Sequence, residues 1–418
     1  MSNLEREQEF LRQLRLYEQA RDNGRTVFMD VDELCDIVEY YQVNGRLDEA
    51  MECVDYALTL YPDHTPLIGF KARLLVLRDG NLDEAYQWLE RMDDHDGVDY
   101  HYLEAELLIA EGQTEEANEL MLEVYENISE DDRDDLGIDM AMLYADYEQP
   151  ELASEWLKRS NMTDHEDYQE TKARILAMEG NYAEAAEIFE RLIDENPYST
   201  FYWVQLATAQ FMLQRTEDSI NSCEYAIAIE PTNREALVIK ANGLNRLGNA
   251  EGAKEYFDLA RKYHPHDVHT EMCAAIAQLD NGHPEEALAL LSRAEEYTSE
   301  RQSDLRYEIH VEQVRILLKL NRTDEAVKVI EDDISRFVGM SDEANGGDWH
   351  DRYDLLAFVD ALAGRYEAFL DHLAKGLECT PDKVVETLAP LFPDGMEAKD
   401  YLDYAKNNFD TIHLKTRQ

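Results

Sequence analysis

Positive charge is scarce in this sequence of 418 residues. Lysine and arginine total 39 against 91 aspartates and glutamates, which gives a formal net charge of −52. Such a chain lacks the cationic surface needed to bind nucleic acid or an anionic membrane, so the composition excludes both kinds of partner. The long-range field instead favours a basic partner. A second interpretation is that the acidic surface only keeps a long chain soluble.

Long apolar runs and paired cysteines are also missing. No stretch of about 18 apolar residues occurs and the amino end is polar, so the sequence predicts neither a membrane-spanning helix nor a secretory signal. The cysteines are scattered one per predicted helix without metal-ligand spacing, which favours reduced thiols in a core. They are Cys35, Cys53, Cys223, Cys273 and Cys379. We therefore predict a cytoplasmic protein.

The sequence carries no motif of a catalytic or cofactor site. It has no phosphate-cradling glycine loop, no Gly-x-Ser-x-Gly and no His-Glu-x-x-His. A histidine cluster from His264 to His269 is a conceivable metal site, as are His95 and His101. Polar residues are normal at the helix boundaries where they lie. We predict no enzyme, no metal site and no cofactor.

What the sequence does contain is a repeat of about 34 residues, clearest between Ala173 and Pro265. In one copy Ala207 lies on a first predicted helix, Cys223 on a second, and Pro231 closes the unit. A small residue on each helix lets the two backbones approach closely, and the proline ends the second helix. A period of this length indicates a stacked array rather than a single globule.

The turn between the paired helices can be followed ten times. Its first residue is usually glycine, which suits the left-handed conformation at the end of a helix. Acidic residues often follow, at the positive end of the next helix dipole. The ten turns open at Gly45, Gly80, Gly112, Glu148, Gly180, Gln214, Gly248, Gly282, Asn321 and Gly364.

This repeat resembles the tetratricopeptide repeat, whose pattern runs Trp, Leu, Gly, Tyr, then Ala, Phe, Ala, Pro over 34 residues. The resemblance covers Val31 to Leu377 and implies an all-α, right-handed superhelical solenoid. We expect about ten helix-turn-helix repeats with capping helices at both ends. The expected divisions are a capping helix and linker (1–26), the repeat array (27–338), a loop insertion with a last degenerate repeat (339–379), and capping helices with a tail (380–418).

The amino-terminal helix lies outside the repeat frame. Its apolar stripe consists of Leu4, Leu11, Leu14 and Tyr17. Because the end of a repeat array exposes an apolar face, we expect this helix to cap the array. Binding of a partner by the same stripe stays open as the alternative.

In the family, the first helix of each repeat lines a concave groove that holds peptides or partner helices. The resemblance therefore implies a partner-binding surface on the first helices of the strongest repeats. Packing between neighbouring first helices is the alternative role for these positions. They are Arg174, Met178, Phe201, Val204, Thr208, Phe211, Met212, Val238, Asn242 and Asn245.

Two functions stay open. The first is a non-catalytic scaffold that holds a protein partner, with Phe201, Phe211 and Met212 as anchors and an acidic rim that favours basic or apolar segments. The alternative is an acidic chaperone or assembly factor that shields a basic client. Co-chaperones of the family clamp acidic tails with Lys, Asn and Arg. The matching positions, beginning with Cys35 and Glu39, form no basic clamp, so we expect no Hsp70 or Hsp90 tail adaptor.

Overall fold

A computed structural model describes residues 3–43, 45–298, 303–337, 353–393 and 395–416. These residues form 23 α-helices and one 3-10 turn, with no strand among them. The chain divides into two compact units: unit 1 is Met1–Tyr256 and unit 2 is Phe257–Gln418. None of the helices in the described ranges is long and apolar enough to cross a membrane.

Twenty of these helices form ten consecutive pairs, as the sequence predicts. In unit 1 the pairs are α2 (Val31–Val43) with α3 (Leu47–Leu60), α4 (Thr65–Asp79) with α5 (Leu82–Leu89), α6 (Val98–Ala110) with α7 (Thr114–Asn127), α8 (Arg133–Asp146) with α9 (Pro150–Leu157), α10 (Glu166–Met178) with α11 (Tyr182–Glu195), and α12 (Thr200–Met212) with α13 (Thr216–Ile229). The boundary between the units falls in the next pair, α14 (Arg234–Arg246) with α15 (Ala250–Tyr263). In unit 2 the pairs are α16 (Val268–Asp280) with α17 (Pro284–Tyr297), α18 (Ser303–Lys319) with α19 (Thr323–Phe337), and α20 (Tyr353–Ala363) with α21 (Tyr366–Cys379).

All ten predicted turn-opening residues have a positive φ, so the prediction of left-handed turns is confirmed. Three of them are not glycine: Glu148 at 55°, Gln214 at 60° and Asn321 at 57°. Side chains disfavour this region because Cβ approaches the following carbonyl oxygen. The next amide compensates by returning to the preceding helix, as where Arg215 N donates to Gln210 O at 2.9 Å.

The small and large residues of the repeat lie at the contacts between helices. In unit 1, Ala173 and Ala185 are buried beside Phe189, whose ring centroid lies 6.3 Å from that of Tyr202. Burial of an apolar side chain of this size stabilises a fold by about 1.5–3 kcal/mol. The predicted all-α fold of about ten helix pairs is thus confirmed.

Helix α1 (Asn3–Asp22) precedes the pairs and packs on α2. Leu14 and Tyr17 are buried in the core of unit 1, and Tyr41 donates its hydroxyl to Glu18 Oε1 at 3.2 Å. Leu11 is half-buried. Leu11, Leu14 and Tyr17 of the predicted stripe therefore face the first helix pair, the side chain of Leu4 lies outside the described part of the structure, and the role of α1 as a cap stays a prediction.

Helices α22 (Pro381–Leu388) and α23 (Ala398–Lys415) follow the last pair. The rings of Phe392 and Tyr401 stack with centroids 3.9 Å apart. Lys415 lies in the last turn of α23 and donates its Nζ to Phe392 O at 3.1 Å. The predicted loop at 339–348 lies outside the described residues, and the division of the chain into four segments stays a prediction.

Candidate partner-binding face

The first helices of unit 1 are neighbours, and their side chains form one surface. Tyr102 of α6 donates its hydroxyl to Asp139 O of α8 at 3.4 Å, and Tyr202 of α12 donates to Glu166 Oε1 of α10 at 2.8 Å. We call the surface formed by α2, α4, α6, α8, α10 and α12 the first-helix face.

Four carboxyl groups on this face have a raised pKa. In each of them burial is the largest cause, and neighbouring acids raise the pKa further. They are Asp36, Glu39, Asp139 and Glu170. Because the charged forms of these groups are disfavoured in the free protein, a bound cation would relieve them.

The pKa shift is large at Asp139. Burial among the neighbouring helices, together with Asp135, Asp167 and Asp99, raises its pKa from 3.8 to about 6. The side chain nonetheless reaches solvent. It is therefore a carboxylate at neutral pH that a ligand can contact.

The arginines on the first-helix face are already paired. Arg73 of α4 donates from Nε and Nη2 to both carboxylate oxygens of Glu106, at 2.5 and 2.7 Å. Arg174 of α10 donates to Asp146 of α8. These arginines are thus neutralised by partners of their own.

A cleft of about 860 Å³ lies in unit 1, where α1 and α2 approach the turns that precede α12 and α14. Phe10, Tyr40 and Phe201 are among the aromatic residues that line it. The ring centroids of Phe10 and Tyr40 are 5.4 Å apart. Five carboxylates and two cations complete the charged lining: Asp36, Glu39, Glu166, Glu230 and Glu235, with Arg15 and Arg234.

Helix caps hold the far wall of the cleft in place. Ser199 Oγ accepts from Tyr202 N at 3.3 Å at the start of α12. Asn233 Oδ1 accepts from Ala236 N at 3.0 Å at the start of α14, and its Nδ2 donates to Glu230 at 3.1 Å. Ser and Asn are favoured at such positions because they satisfy free backbone amides. The sequence therefore fixes both turns independently of any ligand.

A model of the tetratricopeptide repeat matches residues 157–200 and 274–334, about a quarter of the chain. Both matched segments are therefore similar to tetratricopeptide repeats. Helices α10 and α11 lie within the first matched segment, and α17 and α18 lie within the second, which also covers parts of α16 and α19.

Two curated relatives share short similar segments with this chain. The tetratricopeptide repeat protein 4 homolog of Dictyostelium discoideum is 29% identical over 91 residues, which cover 22% of this chain and 23% of the relative. The TPR repeat-containing thioredoxin TTL4 of Arabidopsis thaliana is 29% identical over 97 residues, 23% of this chain and 14% of the relative. The chain thus spans less than a quarter of either relative's length.

The chain is also similar to solved structures of tetratricopeptide-repeat proteins. One from Parabacteroides merdae is 15% identical, covers 66% of this chain and 99% of its own, and has a TM-score of 0.41. One from Thermus thermophilus is 19% identical, covers 42% and 93%, and has a TM-score of 0.36.

The ten residues predicted to bind a partner are spread along the repeats rather than gathered at one point. Phe201 and Val204 line the cleft, although Val204 is only 2% exposed and Val238 is similarly buried. Thr208 is exposed and donates its hydroxyl to Val204 O at 3.0 Å. Asn242 and Asn245 are half-buried. The side chains of Val204 and Val238 therefore pack within the helix stack.

The remaining predicted residues lie toward the ends of α10 and α12. Met178 and Met212 are exposed, Met212 to 50%. The ring of Phe211 is covered by Arg246, whose guanidinium carbon lies 3.6 Å from the ring centroid. Arg174 is engaged by an aspartate, as described above. The role of all ten as a binding surface stays a prediction.

Most residues of the cleft were not predicted from the sequence. Tyr40 donates its hydroxyl to Glu230 Oε1 at 2.9 Å across 190 positions of the sequence. Phe10 belongs to α1, outside the repeat frame. Neither position carries a local motif, so the cleft is visible only once the helices are stacked.

The histidines weighed as metal ligands have other contacts. Asp267 caps α16 by accepting from Thr270 N at 2.8 Å, and the His266 ring packs edge-on against Tyr297 at 4.5 Å. His95 stacks on Tyr100 at 4.6 Å. Within the described residues, no group of three or more His, Cys, Asp or Glu side chains could hold a metal ion.

Proposed function

We propose that this protein binds a protein partner through the first-helix face of unit 1, without catalysis, and that the bound segment carries basic and apolar side chains. The observation that supports this most is that Asp36, Glu39, Asp139 and Glu170 all lie on first helices of unit 1, where burial and neighbouring acids raise the pKa of each. A cation placed beside them stabilises their charged form, and this gain adds to the binding energy.

The cleft supplies the apolar part of the proposed surface. Its aromatic residues lie beside acidic ones, which fits a partner segment in which apolar and basic side chains alternate. Aromatic side chains contribute much of the energy at protein interfaces, and complementary charge fixes the register and speeds association.

We also propose a cytoplasmic location, which the lack of disulfides among the five cysteines supports. Two of them, Cys53 and Cys223, are buried thiols. Proteins with free, unpaired thiols are typical of reducing compartments.

The test is affinity capture with matched charge variants. The face variant neutralises the four first-helix acids: Asp36→Asn, Glu39→Gln, Asp139→Asn and Glu170→Gln. The control variant neutralises four exposed acids on second helices: Glu115→Gln, Glu119→Gln, Glu187→Gln and Glu190→Gln. Both variants change the net charge equally.

We expect the wild type and the control variant to capture the same basic proteins from a native lysate, and the face variant to capture about tenfold less. A wash with about 0.5 M NaCl should remove partners held by charge alone, since screening then acts within a few ångströms. Equal capture by the face variant and the wild type would overturn the proposal.

A second candidate function is an acidic chaperone or assembly factor that shields a basic client. The net charge of −52 favours it, because the acids are not confined to one face. If the face and control variants lose the same fraction of captured protein, overall charge is responsible and this second function is favoured.

A further inference from the structure

The cleft of unit 1 brings together two kinds of side chain that recognise the same chemical group. Aromatic rings, including those of Phe10, Tyr40 and Phe201, line the cavity together with Asp36 and Glu39. The face of an aromatic ring attracts a cation within about 6 Å, and a carboxylate pairs with it directly. A guanidinium uses both, because it is planar, stacks on rings and donates two parallel hydrogen bonds to a carboxylate.

We propose that this cleft binds an arginine side chain of the partner segment, with its guanidinium paired to Asp36 and Glu39 and stacked on the aromatic lining. The inference rests on the function proposed above and names the residue that anchors the basic segment. Asp36 and Glu39 are three positions apart on α2, so they project from the same side of the helix.

Other acids of the cleft already have partners in the protein. Glu230 accepts hydrogen bonds from Tyr40 and Asn233. Glu166 accepts from the Tyr202 hydroxyl, and Glu235 pairs with Arg234 at 3.3 Å. Among the residues that the structure describes, no salt bridge within 4.0 Å engages Asp36 or Glu39. These two carboxylates are therefore the acids left for a ligand.

The charge and size of the cleft fit an arginine with its flanking residues. Five carboxylates face two cations, Arg15 and Arg234, and the net negative charge favours a cationic guest. The volume of about 860 Å³ lies in the usual range of ligand pockets, roughly 300–1,000 Å³. It exceeds what one side chain fills, so apolar neighbours of the arginine would occupy the remainder beside Phe201 and Val204.

The test uses three fluorescein-labelled heptapeptides of the form Gly-Gly-Leu-X-Leu-Gly-Gly. X is arginine, lysine or citrulline, which has the shape of arginine without its charge. Fluorescence anisotropy with the full chain should give the tightest binding for arginine, about fivefold weaker binding for lysine, and at least tenfold weaker binding for citrulline.

Two variants locate the site. Asp36→Asn with Glu39→Gln should weaken binding of the arginine peptide at least tenfold. Asp139→Asn with Glu170→Gln makes the same charge change on the same face outside the cleft, and should change affinity less than about twofold. Circular dichroism spectra that match the wild type establish that both variants are folded.

Three results would overturn the arginine site: equal binding of the arginine and citrulline peptides, unchanged affinity of the cleft variant, or no binding up to about 1 mM peptide. The function proposed above would survive each of them if the face variant still loses its captured proteins. If the face variant retains those proteins, the proposed function fails as well.

Discussion

The first helices of both units carry acidic side chains, but these acids have different neighbours. In unit 1, Glu106 is paired with Arg73, but Asp139 and Glu39 lie among other acids, and burial raises the pKa of each. In unit 2, Glu271 of α16 accepts from Arg261 at 3.1 Å and from Arg293 at 2.7 Å, and its side chain is 5% exposed.

Asp360 of α20, also in unit 2, likewise lies beside basic side chains. Its side chain is 1% exposed and lies 2.9 Å from Arg365 Nε and 2.7 Å from His372 Nδ1. A buried carboxylate of this kind is compensated within the fold, so it contributes to structure. Acids that face one another on a reachable surface have no such role, and they remain available to a ligand.

Removing a compensated acid should have the largest effect. We expect Glu271→Ala to lower the free energy of unfolding of unit 2 by about 1.5–3 kcal/mol, because the charge-assisted hydrogen bonds from two arginines are lost. Urea denaturation followed by circular dichroism, with hydrogen exchange to assign the loss to unit 2, measures it. A change below about 1 kcal/mol would mean that the pairing of Glu271 with arginines does not stabilise unit 2, and would contradict the comparison.

Removing an uncompensated acid should have a smaller effect of opposite sign. The pKa of Asp139 rises from 3.8 to about 6 on folding, so between these values the folded state binds more protons than the unfolded state. The free energy of unfolding therefore falls as the pH rises through this interval. Asp139→Asn should raise it at pH 7.5 by roughly 0.5–1 kcal/mol, a value discounted because the carboxylate is exposed.

Thermal melts of the wild type and Asp139→Asn at several pH values check this expectation. The gain should disappear near pH 4, where the native aspartic acid is neutral, and should shrink in about 1 M NaCl. A lower midpoint for the variant at pH 7.5 would mean that Asp139 has a stabilising partner.

The smallest effect is expected for an exposed acid that has a partner. Glu325 of α19 pairs with Arg322 at 2.6 Å, and this hydrogen bond lowers the pKa of the carboxyl group. Surface ion pairs contribute little because solvent screens them. Glu325→Gln should leave the melting midpoint unchanged within error, and a loss as large as that of Glu271→Ala would contradict the comparison.

The helix pairs were predictable because each is specified by local residues. The turn at Gln214 is an example. The flanking repeat pattern predicts a left-handed residue at this position although the residue is not glycine, and its φ is 60°. The same holds at Glu148, where Pro150 begins the next helix. Within one repeat, the spacing of the apolar positions and the small residues at the helix contacts specify the helix pair and its turn.

The candidate site was predictable only in part. Phe201 was found because it lies on a first helix of a strong repeat, and it lines the cleft. Tyr40 and Glu230 were not found, because the stacking of five intervening helix pairs brings them together. Phe211 was expected as an open anchor, but Arg246 of the next first helix covers its ring. Such contacts depend on how repeats are placed against one another.

The hydrogen bond between Tyr40 and Glu230 also affects how unit 1 unfolds. In a linear repeat array each repeat contacts only its neighbours, so the stability of a truncated array is a sum of repeat and interface energies. This contact joins the first pair to the turn between α13 and α14, and no nearest-neighbour sum contains it. Deleting α2 and α3 would therefore weaken the distant α13–α14 turn, and unit 1 should unfold in fewer and more cooperative steps than its repeat number implies.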